Sequence, residues 1–165
     1  MKRIVSAMAA MPQIRRAEEK DIPAVLELLR QVLEVHHEGR PDLFAAEGGK
    51  YSPEELQAIF ADASTPVFVF DDGASVKGYV FCRLEDHSGR SEAPHRSLYI
   101  DDLCVEEGAR GTHIGKRLYG FAREFARSQG CYNITLHVWE CNPGAKAFYG
   151  TLGLRPQYTS LEEIL

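Results

Sequence analysis

No run in this 165-residue chain approaches the roughly 18 consecutive apolar residues that a membrane-spanning helix needs, so no membrane partner is expected. Positive charge is short as well. The chain has 19 Lys and Arg against 24 Asp and Glu, a net charge of −5, which argues against the basic face of a nucleic-acid binder. That acidity suits a cationic amine substrate and equally an ordinary soluble surface. Cysteine is sparse: Cys82, Cys104, Cys131 and Cys141 form no C-x-x-C pair and have no histidines at ligand spacing, so no metal site is expected. Three of the four lie in or beside β-rich stretches, where cysteine behaves as a small buried hydrophobe, and a reducing cytoplasm is the compartment this usage suits. Linkers, internal repeats and low-complexity tracts are absent too, so residues 13–165 read as one domain behind an extension at 1–12. That extension begins Met1-Lys2-Arg3 and carries a short apolar run. At the lower limit of length, containing Ser6 and running almost directly into the first strand, it is read as an N-terminal extension rather than a signal peptide.

What is present is an alternation of β-rich and amphipathic stretches. Gln13 to Arg16 is a short strand. Asp21 is placed to cap a helix with Pro23 in its first turn, and Val25, Leu28, Leu29, Val32 and Leu33 follow at helical spacing to near His37. Ser52-Pro53-Glu54-Glu55 is a capping box opening a second helix. Pro66 to Asp71 and Val76 to Leu84 flank Asp72-Gly73, a hairpin signal. Leu98 to Val105 is a further strand, followed by an amphipathic helix from Ile114 that ends near Gly130. Asn133 to Glu140 is a strand, Asn142-Pro143 starts a short helix, and a final strand is expected from Leu154. The fold class is α/β: a mixed, mostly antiparallel central sheet with helices on both faces and a parallel β-α-β unit.

The segment richest in chemical meaning is Arg110-Gly111-Thr112-His113-Ile114-Gly115-Lys116, between a strand and a helix start. Free backbone N–H groups and the helix dipole make such a place a site for phosphate. It is not a Walker A loop, because Gly111 and Gly115 enclose three residues and Lys116 is followed by Arg117. Nor is it a dinucleotide fingerprint, since the glycines fall at 108, 111 and 115 with no second βαβ unit behind them.

Arg110-Gly111-x-x-Ile114-Gly115 after one strand, and Asn142-Pro143-x-Ala145-x-x-Phe148-Tyr149-x-x-Leu152-Gly153 after the next, together resemble the GNAT N-acetyltransferase superfamily. The topology matches from Gln13 onward. The resemblance implies an enzyme using acetyl-CoA as cosubstrate and no metal. Its diphosphate would rest on the amides of Arg110, Gly111, Thr112, His113, Ile114, Gly115 and Lys116. Its pantetheine arm would lie like an added strand against the main chain of Leu103, Cys104 and Val105. Asn142 would cap its helix, hold the pantetheine amide, or do both, with Ala145 and Lys146 near the cofactor. One departure stands out: His113 replaces the first glycine of the family's loop pattern. If that position needs positive φ, histidine is an unfavourable occupant.

Acetyl transfer to an amine needs a deprotonated nucleophile, a stabilised oxyanion and a proton for the departing thiolate. By the family motif Tyr149 is the acid. Asp101 matches by position a carboxylate proposed as base in polyamine acetyltransferases, with a water relay as the alternative. Asp102, next to it on a strand and so expected on the opposite face, is read as a substrate ligand or a structural anchor. His36 and Phe44 fall where related enzymes bind the acceptor, and there a solvated helix end is the alternative. His137 and Trp139, alternating along a predicted strand, are expected to line the acceptor cleft without a catalytic role. The acceptor is a small amine, with polyamines ranked first, or a lysine or N-terminal amine of a peptide. Homodimerisation stays open. From another class, the competing reading is a non-catalytic acyl-CoA-binding or sensory module, which His113 favours and which Asn142 and Tyr149 oppose.

Overall fold

The computed structural model describes residues 11–165, so the expected extension at 1–12 lies, but for its last two residues, outside the described part. Five strands form one sheet in chain order: β1 (Gln13–Arg16), β2 (Val67–Asp71), β3 (Val76–His87), β4 (His95–Val105) and β5 (Asn133–Leu136). The first four pair antiparallel and β5 joins β4 in parallel. Helices α1 (Ile22–Gly39) and α2 (Pro53–Ala61) precede the central hairpin, α3 (Ile114–Ser128) makes the crossover from β4 to β5, and α4 (Pro143–Thr151) follows β5.

β2 reads Val-Phe-Val-Phe because it is covered on both faces. Val67 and Val69 point with Tyr79, Phe81 and Cys104 into a core closed by α1 and α2. Phe68 and Phe70 point with Val80, Cys82, Leu98 and Ile100 into a second core closed by Leu118, Ala122 and Ala126 of α3. Burial pushes the thiols of Cys82 and Cys104 up to about 12, so both remain neutral and serve as packing groups. Gly78 is required where β3 passes under α3: a Cβ there would lie 2.8 Å from the Cys104 carbonyl oxygen and 3.1 Å from Leu118 Cδ1.

Four sequence expectations are corrected. Asp21 does not cap α1. Its carboxylate instead accepts the Glu18 amide at 2.8 Å and a bidentate pair from Arg15 at 2.7 and 2.9 Å, and Arg15 also reaches Asp71 at 2.8 Å. β5 stops at Leu136, leaving His137 and Trp139 off the strand. No strand follows Leu154: Pro156 lacks an N–H for a ladder, and the exposed polar residues around it offer little to bury. Asp101 and Asp102 do not point to opposite faces. β4 carries an extra residue here, with Phe81 opposite Asp102 but Cys82 opposite Ile100, so Asp101 is the bulged residue. Before the bulge Leu98 and Ile100 face the α3 core, and beyond it Leu103 does, while Cys104 faces the other core. Both carboxylates are thereby turned to the α1–α2 side.

The Arg15 knot ties β1, β2 and the entry to α1. Burial works to raise the pKa of Asp21, but the hydrogen bonds from Arg15 and the Glu18 amide outweigh it, and Asp71 is lowered by Arg15 and the Gly73 amide. Depressed carboxylates stabilise the fold fully above the ordinary range near 4, and the contribution is lost as the pH falls through their folded pKa values. Arg15→Ala should cost roughly 3 kcal/mol in urea unfolding at neutral pH, because it strands Asp21 with 4% of its side chain exposed. The deficit should shrink as the pH drops below the ordinary carboxylate range. A deficit unchanged at low pH would show that the ion pairs are not its source.

Candidate active site

The loop before α3 is built to leave its amides free. Residues Glu107–Ala109 make a 3-10 turn, Gly111 has φ +81°, and His113 at φ +64° is the sole non-glycine residue with positive φ among the described residues. His113 therefore adopts the left-handed geometry that glycine would take without strain. Its side chain does not cap α3, whereas Ser52 caps α2 and Asn142 caps α4 by accepting the Ala145 amide at 3.0 Å. The first amides of α3, which have no intrahelical acceptor, border a cleft of about 340 Å³ lined by Arg110, Gly111, His113, Gly115, Lys116 and, from α4, Phe148. A Cβ on Gly115 would lie 3.2 Å from Phe148 Cζ, so that glycine lets α4 close against the first turn of α3. At Gly111, by contrast, a Cβ would meet nothing within 4 Å. That glycine is needed for its φ rather than for room.

Val105, the last residue of β4, also lines this cleft. Parallel pairing with β5 covers only Ser97 to Ile100, so from Asp102 to Val105 the strand stays paired with β3 and presents an unpaired edge on the other side. Arg110 Nε donates to the Val105 carbonyl at 3.3 Å, pinning the loop to the end of this edge. A bare helix N-terminus meeting an open strand edge can hold an anionic head and an extended amide-bearing arm, which fits acetyl-CoA. Lys146, expected beside the cofactor, instead pairs with both oxygens of Glu140 at 2.6 and 2.7 Å. Cys104 faces the core, so only its main chain belongs to the edge.

Tyr149 lies one residue after Phe148, half-buried, and its hydroxyl has no hydrogen-bond partner among the described residues. Burial, and then the charge of Asp102 and the neighbouring Tyr119 and Cys82, hold its pKa well above the ordinary tyrosine value. The phenol is kept protonated and unengaged. Asp102 accepts from the Tyr79 hydroxyl at 2.8 Å, and burial pushes its pKa up.

Asp101 is engaged by two groups the sequence did not single out, Lys50 Nζ at 2.6 Å and Tyr51 Oη at 3.1 Å. Nothing in the pattern around Gly48-Gly49-Lys50-Tyr51 reveals this, because the contact spans fifty residues of chain and depends on how the α1–α2 connection folds back. A hollow of about 130 Å³ beside the pair is lined by Tyr51, Phe81, Arg83 and Asp101. The residues expected on the acceptor side lie together: His36 stacks on Phe44 at 4.9 Å, and Phe44 meets Trp139 edge-on at 5.1 Å. His37 does separate work, its Nδ1 lying 2.7 Å from the Phe44 carbonyl oxygen. Burial and then the Lys50 charge lower the pKa of His36, keeping it neutral. His137 is bracketed by two tyrosines, Tyr99 at 3.3 Å from Nδ1 and Tyr158 at Nε2. Among the described residues no three His, Cys, Asp or Glu side chains gather as a metal site.

Comparison with known proteins agrees with this architecture. The model of the Acetyltransferase (GNAT) family matches residues 27–154. An uncharacterized N-acetyltransferase from Lactobacillus delbrueckii subsp. lactis is 27% identical over 156 residues, 86% of this chain and 83% of that protein. A probable glucosamine 6-phosphate N-acetyltransferase of Oryza sativa is 28% identical over 156 residues, covering 86% and 80%. Among solved structures, a mutant of the BH1408 protein from Bacillus halodurans has a TM-score of 0.89 at 31% identity, covering 93% of this chain and 99% of that one.

The strained histidine gives the test of the loop. His113→Gly should stabilise the fold by about 1 kcal/mol, because only the backbone penalty is removed, and raise the melting midpoint by roughly 2–4 °C. A lower midpoint would mean that the imidazole makes a compensating interaction and that the left-handed turn is not strained.

Proposed function

The chain belongs to the GNAT acetyltransferase family, and from that premise we propose that it moves the acetyl group of acetyl-CoA onto a primary amine of a small molecule or peptide. The observation that carries the proposal is the junction of the uncapped α3 N-terminus with the unpaired edge of β4. Amides from Gly111 to Lys116 bind the diphosphate, with Arg110 bracing the loop and Lys116 adding charge. Main-chain groups of Leu103, Cys104 and Val105 bind the pantetheine arm, and the amide group of Asn142 adds a hydrogen bond beside its capping role. Acetyl-CoA brings an activated acyl carbon and a sulfur leaving group, and the remaining work falls to the chain. Tyr149 gives its proton to the departing sulfur.

The two carboxylates divide the amine chemistry. Asp101, which already holds an ammonium and a phenol, binds the acceptor as its cation, supported by Tyr51. Asp102 takes the proton, because burial raises the basicity of its carboxylate. This division reverses the one expected from the resemblance to polyamine enzymes. His36 and Phe44 form the aromatic wall on the acceptor side. The rice relative is named for an amino-sugar acceptor, which supports a small molecule over a peptide. His113 weighed toward a non-catalytic acyl-CoA sensor, but it takes the left-handed turn, so the loop keeps its form at the expense of strain alone.

Tyr149→Phe removes one proton and almost no volume. It should slow thiol release on the order of a hundredfold while leaving coenzyme A affinity by calorimetry unchanged. Unaltered turnover would hand the acid role to another group. Gly111→Val, a β-branched residue at φ +81°, should weaken coenzyme A binding by about tenfold through loop strain, and wild-type affinity would remove the diphosphate from this loop. With Asp102 as base, activity should rise with pH through a value above the ordinary aspartate pKa of about 3.9. That limb should disappear in Asp102→Asn.

A further inference from the structure

The ammonium of Lys50 rests on Asp101 Oδ2 at 2.6 Å, where the reading above, on which this inference depends, seats the acceptor amine. We propose that Lys50 is a built-in acceptor and that the enzyme acetylates this lysine in cis. Lys50 follows Gly48 and Gly49, the first at φ +118°, on the connection between α1 and α2. Its side chain is 42% exposed and that of Asp101 24%, so the ammonium occupies the carboxylate from the solvent side without being locked into a core. The ring of Tyr51 lies 5.5 Å from Nζ and completes a seat for a cation. The position is central to the site: the Lys50 charge acts on Asp102, His36 and Tyr99, and Asp102 in turn acts on Tyr149.

The chemistry balances without any further reactant. Asp102 takes one proton from the Lys50 ammonium, and the freed Nζ lone pair attacks the thioester carbonyl carbon. A C–N bond forms and the C–S bond breaks. The sulfur leaves with the Tyr149 proton, the second proton on Nζ restores the Tyr149 phenol, and the proton held by Asp102 is released to solvent. The product is an uncharged amide at Lys50. Asp101 then has no cation, and the acceptor seat is empty of its own side chain. The other described lysines have different partners or none: Lys20 pairs with Glu18, Lys77 with Glu106 and Lys146 with Glu140.

The full chain incubated with acetyl-CoA and no added amine should gain one acetyl group by intact mass, mapped by peptide mass to Lys50. Its rate should be independent of protein concentration. Tyr149→Phe should slow it on the order of a hundredfold, and Lys50→Gln, which removes the amine and leaves Asp101 without its cation, should abolish it. A second measurement needs no cosubstrate. Acetic anhydride, which labels any free amine, should modify Lys50 several-fold more slowly than Lys20, and Asp101→Asn should remove that protection. Thiol release with external amines and an unmodified Lys50 would overturn the inference and leave the acetyltransferase reading intact. No thiol release with any amine would defeat that reading instead, and this one with it. Acetylation spread over the surface lysines, a rate that grows with protein concentration, or equal labelling of Lys50 and Lys20 by anhydride would each overturn self-acetylation in cis.

Discussion

One extra residue in β4 decides the geometry of the whole site. With Asp101 bulged against β3, the strand bends, and parallel pairing to β5 ends at Ile100 and Leu136. The same bulge slips the side-chain alternation by one, so Asp101 and Asp102, which a regular strand would send to opposite faces, share the α1–α2 side. The open edge of β4 and the pair of carboxylates on one face thus have a single backbone cause. Without the bulge, β5 would continue along β4, closing the edge, and Asp102 would be separated from its neighbour by the thickness of the sheet.

The second constraint is electrostatic. α3 begins with no side-chain cap and with Arg110 and Lys116 nearby, so its positive end is offered to the cleft rather than satisfied by the protein. A Ser or Asp at position 113 would cap the helix and occupy the same amides. Histidine at φ +64° does neither, which keeps the end available although the backbone would be more relaxed with glycine. Strain of this kind at a ligand-facing turn is retained where the surrounding packing fixes the conformation. Here that packing is Ile114 and Leu118, both buried against the sheet.

Most of the fold was legible because its signals are local. Alternation in Val67 to Phe70, the Ser52–Glu55 capping box and the Asn142 cap each rest on neighbours within four residues. The loop leading into the start of α3 was legible for the same reason. The surroundings of the two carboxylates were not, because their contacts are long-range: Lys50 and Tyr51 meet Asp101 across about fifty residues, and Tyr79 meets Asp102 across the hairpin. The bulge was invisible for a different reason. Tyr-Ile-Asp-Asp-Leu alternates no better as a bulged strand than as a regular one, and only the register against β3 distinguishes them. Asp21 misled because an aspartate before a helix has the composition of a cap, while Arg15 offers it two charged hydrogen bonds in place of one neutral amide.

The two halves of the molecule differ in how firmly they are packed, and the difference falls where the chemistry does. β2 and the middle of β3 are buried on both faces, and the Arg15 knot fastens their outer corner. No residue of β5 or α4 is fully buried. The proposed proton donor therefore stands on an element anchored by few groups, chiefly the Asn142 cap and the seat of Phe148 over Gly115. Elements with little buried apolar area open at low free energy. A ligand bridging α3, β4 and α4 would supply the contacts this side lacks, so under the proposed function binding would order Tyr149, while the rigid half has only to hold the carboxylates in place.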